Sequence, residues 1–294
     1  MKRSPNKKFS RRFWNCFLPF RDLAESNQKL ENLAAEVRQL RAVVAGHLLE
    51  TKRESASNDP RDLHRFEAQV CSQNGEDGVI AEIFRRIGTT NQVFLEIGVG
   101  DGRENNTAFL LSLGWTGFWV DGNPAVDKRI KESRLEKYVR SKVTFVNEQN
   151  IAGLVSELGV PQDLDFLSVD IDQNTYFVWR ALHVLKPRVA VIEYNSVIPP
   201  SIDWKVNYDP DKVHDGTDNY GASLKALENL GRQLGYSLVH CELMGCNAFF
   251  VRNDLVADHF IGPFTAEQHY ERPRFPCIHR SSHRASLLDR SSPA

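Results

Sequence analysis

The stretch Val93-Phe94-Leu95-Glu96-Ile97-Gly98-Val99-Gly100-Asp101-Gly102 decides the fold. An apolar run closes on an acid and opens into three glycines at alternate positions, Gly98, Gly100 and Gly102. A run of this length suits a buried parallel strand. Glycines directly behind it let the chain turn sharply and let a ligand approach where no Cβ stands. The stretch therefore reads as the first, ligand-binding crossover of an α/β domain.

Downstream, the alternation continues. Further strands are expected at residues 117–121, 143–147, 164–170 and 189–194, and helices at 104–113, 124–139, 151–158 and 175–185. Strands separated by helix-length crossovers imply a parallel sheet covered on both faces, with the ligand at the carboxyl ends of the strands. Glu96, Asp121, Asp170 and Glu193 all fall on that rim. Residues 198–220 break the pattern with a polar loop rich in aromatics and containing His214, which reads as a substrate lid. After a helix at 221–234, the runs 236–241 and 247–252 stand five residues apart and pair as an antiparallel hairpin.

Upstream, Cys71-Ser72-Gln73-Asn74-Gly75-Glu76-Asp77-Gly78 precedes apolar residues at helical spacing. Asn74 is the expected N-cap, with Glu76 and Asp77 in the first turn where the helix dipole favours acids. Leu23, Leu30, Val37 and Val44 recur every seven residues, with Leu33 and Leu40 between them. That seam suggests a helix over 22–50 forming a short coiled coil, and hence a homodimer or a docking helix; packing back on its own domain is the alternative. Residues 51–65 read as a linker. Residues 1–21 carry seven basic side chains interleaved with aromatics. Such a tail can lie on an anionic membrane surface, each charge contributing about 1 kcal/mol, or stay solvated. Residues 265–294, rich in Arg, Ser, His and Pro, read as a disordered tail, leaving 66–264 as the folded domain.

Overall charge is balanced, with 37 Lys and Arg against 38 Asp and Glu, and by itself argues neither for nor against a polyanionic partner; no nucleic-acid partner is expected. The five cysteines are scattered without a CxxC pair, which suits a reducing compartment. No apolar run reaches the ~20 residues of a membrane span, and no signal-peptide core is evident. A cytoplasmic protein is expected, with peripheral contact at the inner membrane face through residues 1–21.

Two nucleotide classes suit a glycine-rich turn followed by an acid on the second strand. A nicotinamide dinucleotide calls for GxGxxG, with its third glycine where Arg103 stands. Here that glycine comes one position early, and Glu104 opens the helix where it would repel a pyrophosphate. S-adenosylmethionine has no phosphate, carries an ammonium and a sulfonium, and offers two ribose hydroxyls. Asp121 would accept hydrogen bonds from both hydroxyls, and Glu96 would face the amino acid end.

The segments CSQNGED (71–77), LEIGVGDGRENNT (95–107), GWTGFWVDGNP (114–124), DFLSVDID (165–172), IEYN (192–195), GASLKAL (221–227) and CNAFFVR (246–252) together resemble the FkbM-like class I S-adenosylmethionine-dependent methyltransferases. The resemblance covers about residues 66–253. It implies a Rossmann-like α/β sandwich with a seven-stranded, mostly parallel sheet whose last strand is antiparallel. It further implies that Glu96, Gly98, Gly100 and Gly102 line the methionine and ribose side, and that Asp121 holds the ribose. Asn147 and Glu148 would meet the adenine, and Asp170 and Asp172 would face the methyl group. Relatives commonly continue DIDG with a further acid, where this chain has Gln173 and Thr175.

The expected activity is methyl transfer to a hydroxyl of a sugar, glycan or other small molecule, with Asp172 or His214 as the base. No resident metal is expected, although Asp170, Asp172, Glu193 and Asn195 offer oxygen ligands for Mg²⁺ as an alternative. Two competing readings are an NAD-dependent oxidoreductase and a catalytically degenerate methyltransferase fold serving as an assembly module.

Overall fold

The structure, a computed structural model, describes residues 58–274 throughout and some of the positions between 29 and 54. The chain divides into two bodies, residues 1–48 and 49–294. In the first, the described positions are helical. Leu30, Leu33, Val37, Leu40 and Val44, the members of the expected seam that are described, are exposed. The expected basic tail lies outside the described residues, as do residues 275–294. No helix among the described residues is long and apolar enough to cross a membrane.

The second body is built on seven strands: β1 (Val93–Ile97), β2 (Thr116–Asp121), β3 (Val139–Val143), β4 (Phe166–Val169), β5 (Val189–Glu193), β6 (Tyr236–Cys241) and β7 (Asn247–Arg252). They lie in the order β3-β2-β1-β4-β5-β7-β6. Neighbours are parallel except at β7, which runs antiparallel to both β5 and β6. This is the Rossmann-like sandwich with a reversed last strand that the resemblance implies. The helices are α1 (Glu76–Ile87), α2 (Ala108–Ser112), α3 (Ala125–Glu132), α4 (Ile151–Leu158), α5 (Thr175–Ala181), α6 (Leu224–Leu234) and α7 (Ala266–His269).

Side-chain alternation along the strands sorts the core into two layers. Leu95, Ile97, Val120, Leu167 and Ile192 pack with Ile151, Val178 and Leu227 from α4, α5 and α6. Phe94, Trp119, Phe166 and Val191 pack with Val79 and Ile83 of α1 and Val126 and Ile130 of α3. Each such burial contributes roughly 1.5–3 kcal/mol, so continuous apolar strands are what a doubly covered sheet requires. The same alternation puts Glu96 on the Phe94 face, opposite to Leu95 and Ile97.

Several elements differ from their expected bounds. β3 lies at 139–143 instead of 143–147, because an edge strand with one open flank needs no unbroken apolar run; the more apolar residues that follow form a wall instead. α2 starts four residues later than expected, since 105–107 are bound by Glu96. α3 ends early, at Glu132, and Arg134 just beyond it turns the chain with φ of 55°.

Gly75, not Asn74, holds the N-cap position of α1. Asp77 Oδ2 accepts the backbone N–H groups of Val70, Cys71 and Ser72 at 2.6–2.8 Å. Glu76 accepts the backbone N–H and side-chain amide of Asn74, and the amide of Asn247 on β7. Both acids are buried, so CSQNGED folds the entry loop onto the sheet.

Residues 265–274, expected within a disordered tail, are ordered. Ala266 is fully buried, the Tyr194 hydroxyl donates to the carbonyl of Glu271 at 2.8 Å, and the Arg274 N–H donates to the carbonyl of Met244 at 2.9 Å.

Candidate functional site

A cleft of about 670 Å³ opens at the carboxyl ends of β1 to β4. Gly98 and Gly100 line it behind β1; Asp121, Gly122 and Asn123 behind β2; and Thr144, Phe145 and Val146 behind β3. Asp170, Ile171, Asp172 and Asn174 follow β4, and residues 210–214 of the long loop complete the lining. The loop expected to act as a lid thus forms one wall.

The three glycines do different work. A Cβ on Gly98 would stand 1.5 Å from the carbonyl oxygen of Asp170, so only glycine lets β1 pass this close to the end of β4. A Cβ on Gly100 would meet nothing within 4 Å, and what requires glycine there is φ of 65°. Gly102 is turned away from the cleft, against Trp119 and Arg129.

Asp121 is held by the backbone. The N–H groups of Gly100 and Asn123 donate to its two oxygens, each at 2.6 Å. Each oxygen keeps a lone pair for a further donor.

Glu96 is not among the cleft-lining residues. It is 2% exposed, and its carboxylate accepts from Asn105 Nδ2 at 2.5 Å, from the N–H groups of Asn106 and Thr107 at 2.8 and 3.2 Å, and from the Thr107 hydroxyl. Burial pushes its carboxyl up, while these bonds, those of Thr107 and Asn105 foremost, favour the charged form. Its strand neighbours are Trp119 and Ser168. Both bond the same loop, Trp119 Nε1 to the Thr107 hydroxyl and Ser168 to Asn106 Nδ2. Asn147 and Glu148 also lie outside the lining. Asn147 Oδ1 accepts the N–H groups of Gln149 and Asn150 ahead of α4, and Glu148 pairs with Arg180.

At the β4 end, acids crowd together. Burial and the Asp172 charge push the Asp170 carboxyl up to about 7. Burial and the Asp170 charge raise Glu193 well above the usual carboxylate range. Glu193 Oε2 also accepts the Asp172 N–H at 2.8 Å and the Thr175 hydroxyl at 3.3 Å. Asp172 adopts φ of 56°, the left-handed region that aspartate tolerates better than most residues.

His214 Nδ1 lies 3.9 Å from Asp172 Oδ1, and its Nε2 lies 2.8 Å from the carbonyl of Thr217. A carbonyl can only accept, so Nε2 carries the proton. In the neutral imidazole, Nδ1 is then the lone-pair nitrogen on the side of Asp172.

Sequence reasoning missed several lining residues, three of which bear on the chemistry. Asn174, 4% exposed, donates through Nδ2 to the carbonyl of Asp209 at 2.9 Å, while its buried Oδ1 has no hydrogen-bond partner among the described residues. Phe145 is 74% exposed at the cleft, and Lys212 sits on the loop wall. An exposed phenylalanine beside a strand end was the available signal for the second of these. Nothing in sequence marks the other two.

The lining suits S-adenosylmethionine. It holds Asp121, Asp170, Asp172 and Asp211 against a single lysine and no arginine, which favours a cationic ligand over a diphosphate. Its size falls within the roughly 300–1,000 Å³ typical of small-molecule sites.

No protein-family model matches the chain. No curated protein matches it. Among solved structures it is similar to a 1,6-didemethyltoxoflavin-N1-methyltransferase of Burkholderia thailandensis with bound 1,6-didemethyltoxoflavin and S-adenosylhomocysteine, at 16% identity and a TM-score of 0.42, over 74% of this chain and 90% of that one. The N-terminal domain of EvdMO1 with S-adenosylhomocysteine bound shows 12% identity and a TM-score of 0.40, over 62% and 82%. An O-methyltransferase family protein from Burkholderia thailandensis shows 10% identity and a TM-score of 0.37; 59% of this chain is covered, and the match spans little over half of that protein, 55%. The fold assignment rests on the strand order and register described above.

Proposed function

We propose that the chain is an FkbM-like methyltransferase that moves a methyl group from S-adenosylmethionine to a hydroxyl of a small molecule or glycan. The observation that carries this reading is the pairing of Gly100 with Asp121 across an acid-lined, phosphate-averse cleft. Asp121, fixed by two backbone N–H groups, is ready to accept from ribose hydroxyls at little ordering cost.

When bound, S-adenosylmethionine supplies an electrophilic methyl on a sulfonium that leaves without acid assistance. The chain's task is therefore alignment, which can supply ~7–11 kcal/mol of the barrier. Asn174 Oδ1 would accept from a second polar hydrogen of the acceptor, beside the reacting hydroxyl. His214 Nδ1 would take the hydroxyl proton as the new C–O bond forms and the S–C bond breaks, with Asp172 close enough to stabilise the resulting imidazolium. Gly98, Asp170 and Ile171 would shape the methyl-donor side. Glu96, by fixing residues 105–107, would support that wall from behind. The exposed seam of the N-terminal helix suits self-association, and residues 1–21 suit peripheral attachment to an anionic cytoplasmic membrane face.

Calorimetric titration of the purified chain with S-adenosylmethionine and with NAD tests the reading. Saturable binding of the former, weakened at least tenfold in Asp121→Ala, is expected; saturable binding of NAD alone would end it. Mass spectrometry of cell extracts incubated with the protein and methyl-labelled S-adenosylmethionine then identifies the acceptor. Loss of cofactor binding in Asp121→Ala with full cellular function retained would instead favour the assembly-module reading.

A further inference from the structure

At the opposite edge of the sheet from β3, His64, Glu67 and His240 each offer one ligand atom, and the three atoms lie within 4.8 Å of one another. We propose that these residues bind a divalent transition-metal ion, zinc by its ligand chemistry, at a site separate from the cleft. Two imidazole nitrogens and one carboxylate oxygen are a borderline-soft donor set that suits zinc far better than Mg²⁺ or Ca²⁺. Donors sharing a zinc at ~2.0 Å lie at most about 4 Å apart, so the cluster closes on an ion with small side-chain movements.

The surroundings are those of a built site. Asp62 Oδ1 lies 2.8 Å from His64 Nδ1 and also accepts the His64 backbone N–H at 3.0 Å, which fixes that ring from behind. A carboxylate on the far nitrogen of a metal-binding histidine is the usual supporting arrangement. His64 Nε2 then faces inward, with Glu271 Oε1 3.2 Å away as the nearest further oxygen. On the other side, Glu67 Oε1 lies 3.1 Å from His240 Nε2, and its Oε2 accepts the Leu243 N–H at 3.0 Å. The rings of His64 and His240 meet edge to face at 4.6 Å. Glu67 and His240 are buried, while the His64 side chain keeps 19% of its surface exposed and leaves an entry for an ion.

Charge points the same way. Glu67, Glu76, Glu242 and Glu271 are all at most 5% exposed in this corner, and among the described residues Arg274 pairs with Glu271 at 2.6 Å. Buried acids in such number call for positive charge. The ion would join the turn at 63–66 to β6 and to the β6–β7 turn. It would thereby clamp the first segment of the domain to the last two strands.

The full chain, stripped with chelator and dialysed, is incubated with equimolar zinc chloride, gel-filtered, and assayed for metal and for unfolding temperature. One zinc per chain and an upward shift in unfolding temperature are expected, with no comparable shift from magnesium chloride. Zinc affinity, read by competition with a chromogenic chelator, should fall at least tenfold in Glu67→Gln, which preserves shape, and in His64→Ala, which removes the most exposed ligand. Failure of the wild-type chain to retain zinc, an equal shift with magnesium, or unchanged affinity in a folded variant would overturn the proposal. If neither variant folds, the wild-type zinc retention and the zinc-over-magnesium shift decide it.

Discussion

Asp170 and Glu193 end adjacent strands, and burial raises both carboxyls, Glu193 the further because the Asp170 charge lies beside it. Both carboxyls titrate higher in the folded chain than in the unfolded one. The folded state thus holds protons that the unfolded state has already lost. The stability this contributes is fully present below the unfolded value of about 4 and is lost as pH rises through about 7. The ligand-free protein should accordingly have a lower unfolding temperature at about pH 8 than at about pH 6, the interval spanning the Asp170 titration. Asp170→Asn should flatten that dependence, as read by scanning calorimetry at both pH values.

The two first glycines of the motif should respond differently to alanine. Gly98→Ala drives a Cβ into the Asp170 carbonyl and should leave little folded protein. Gly100→Ala has open space and meets only the left-handed penalty, about 1–2 kcal/mol in urea denaturation.

Glu96→Gln should act on stability before binding. An amide nitrogen in place of one oxygen faces the donors of Asn105, Asn106 and Thr107. Losing such charge-assisted bonds costs about 3 kcal/mol. S-adenosylmethionine affinity of the folded variant should stay within about threefold of wild type, under 1 kcal/mol. A large loss of affinity without loss of stability would put Glu96 in direct contact with the ligand.

His214→Gln should spare S-adenosylmethionine binding and lower transfer of label to the identified acceptor by roughly 10²–10⁴-fold, the usual contribution of a general base. Full activity in this variant would move the proton-accepting role to Asp172 or to solvent.

The sheet was legible in sequence because its strands are covered on both sides and so read as apolar runs. The hairpin at 236–252 was legible because both partners are short, apolar and close in the chain. β3 was misplaced for the complementary reason: Val139-Arg140-Ser141-Lys142-Val143 sits at an open edge, where charge is tolerated. Strand ends predicted the rim, and Gly98, Gly100, Asp121, Asp170 and Asp172 do line one cleft. Glu96 was expected at the ligand because it precedes the glycines, but the alternation of the strand turns its side chain toward the layer beneath α2. Asn174 and Lys212 escaped notice because what brings them to the cleft is tertiary: a loop more than thirty positions downstream of Asn174 folds back over it.

The wall formed by residues 210–214 belongs to a long loop fastened on both sides of it: Trp204 and Val206 bond Ser223 and Gly221, Tyr208 bonds Gln149, Asn174 the Asp209 carbonyl, and Asn195 the carbonyls of Asp218 and Tyr220. In the proposed enzyme, traffic through the cleft would mean undoing the bonds nearest the wall while the sheet stays still. Turnover would be paced by the opening of this gate as much as by bond making, and thickening the solvent with a viscogen would slow release of product more than chemistry.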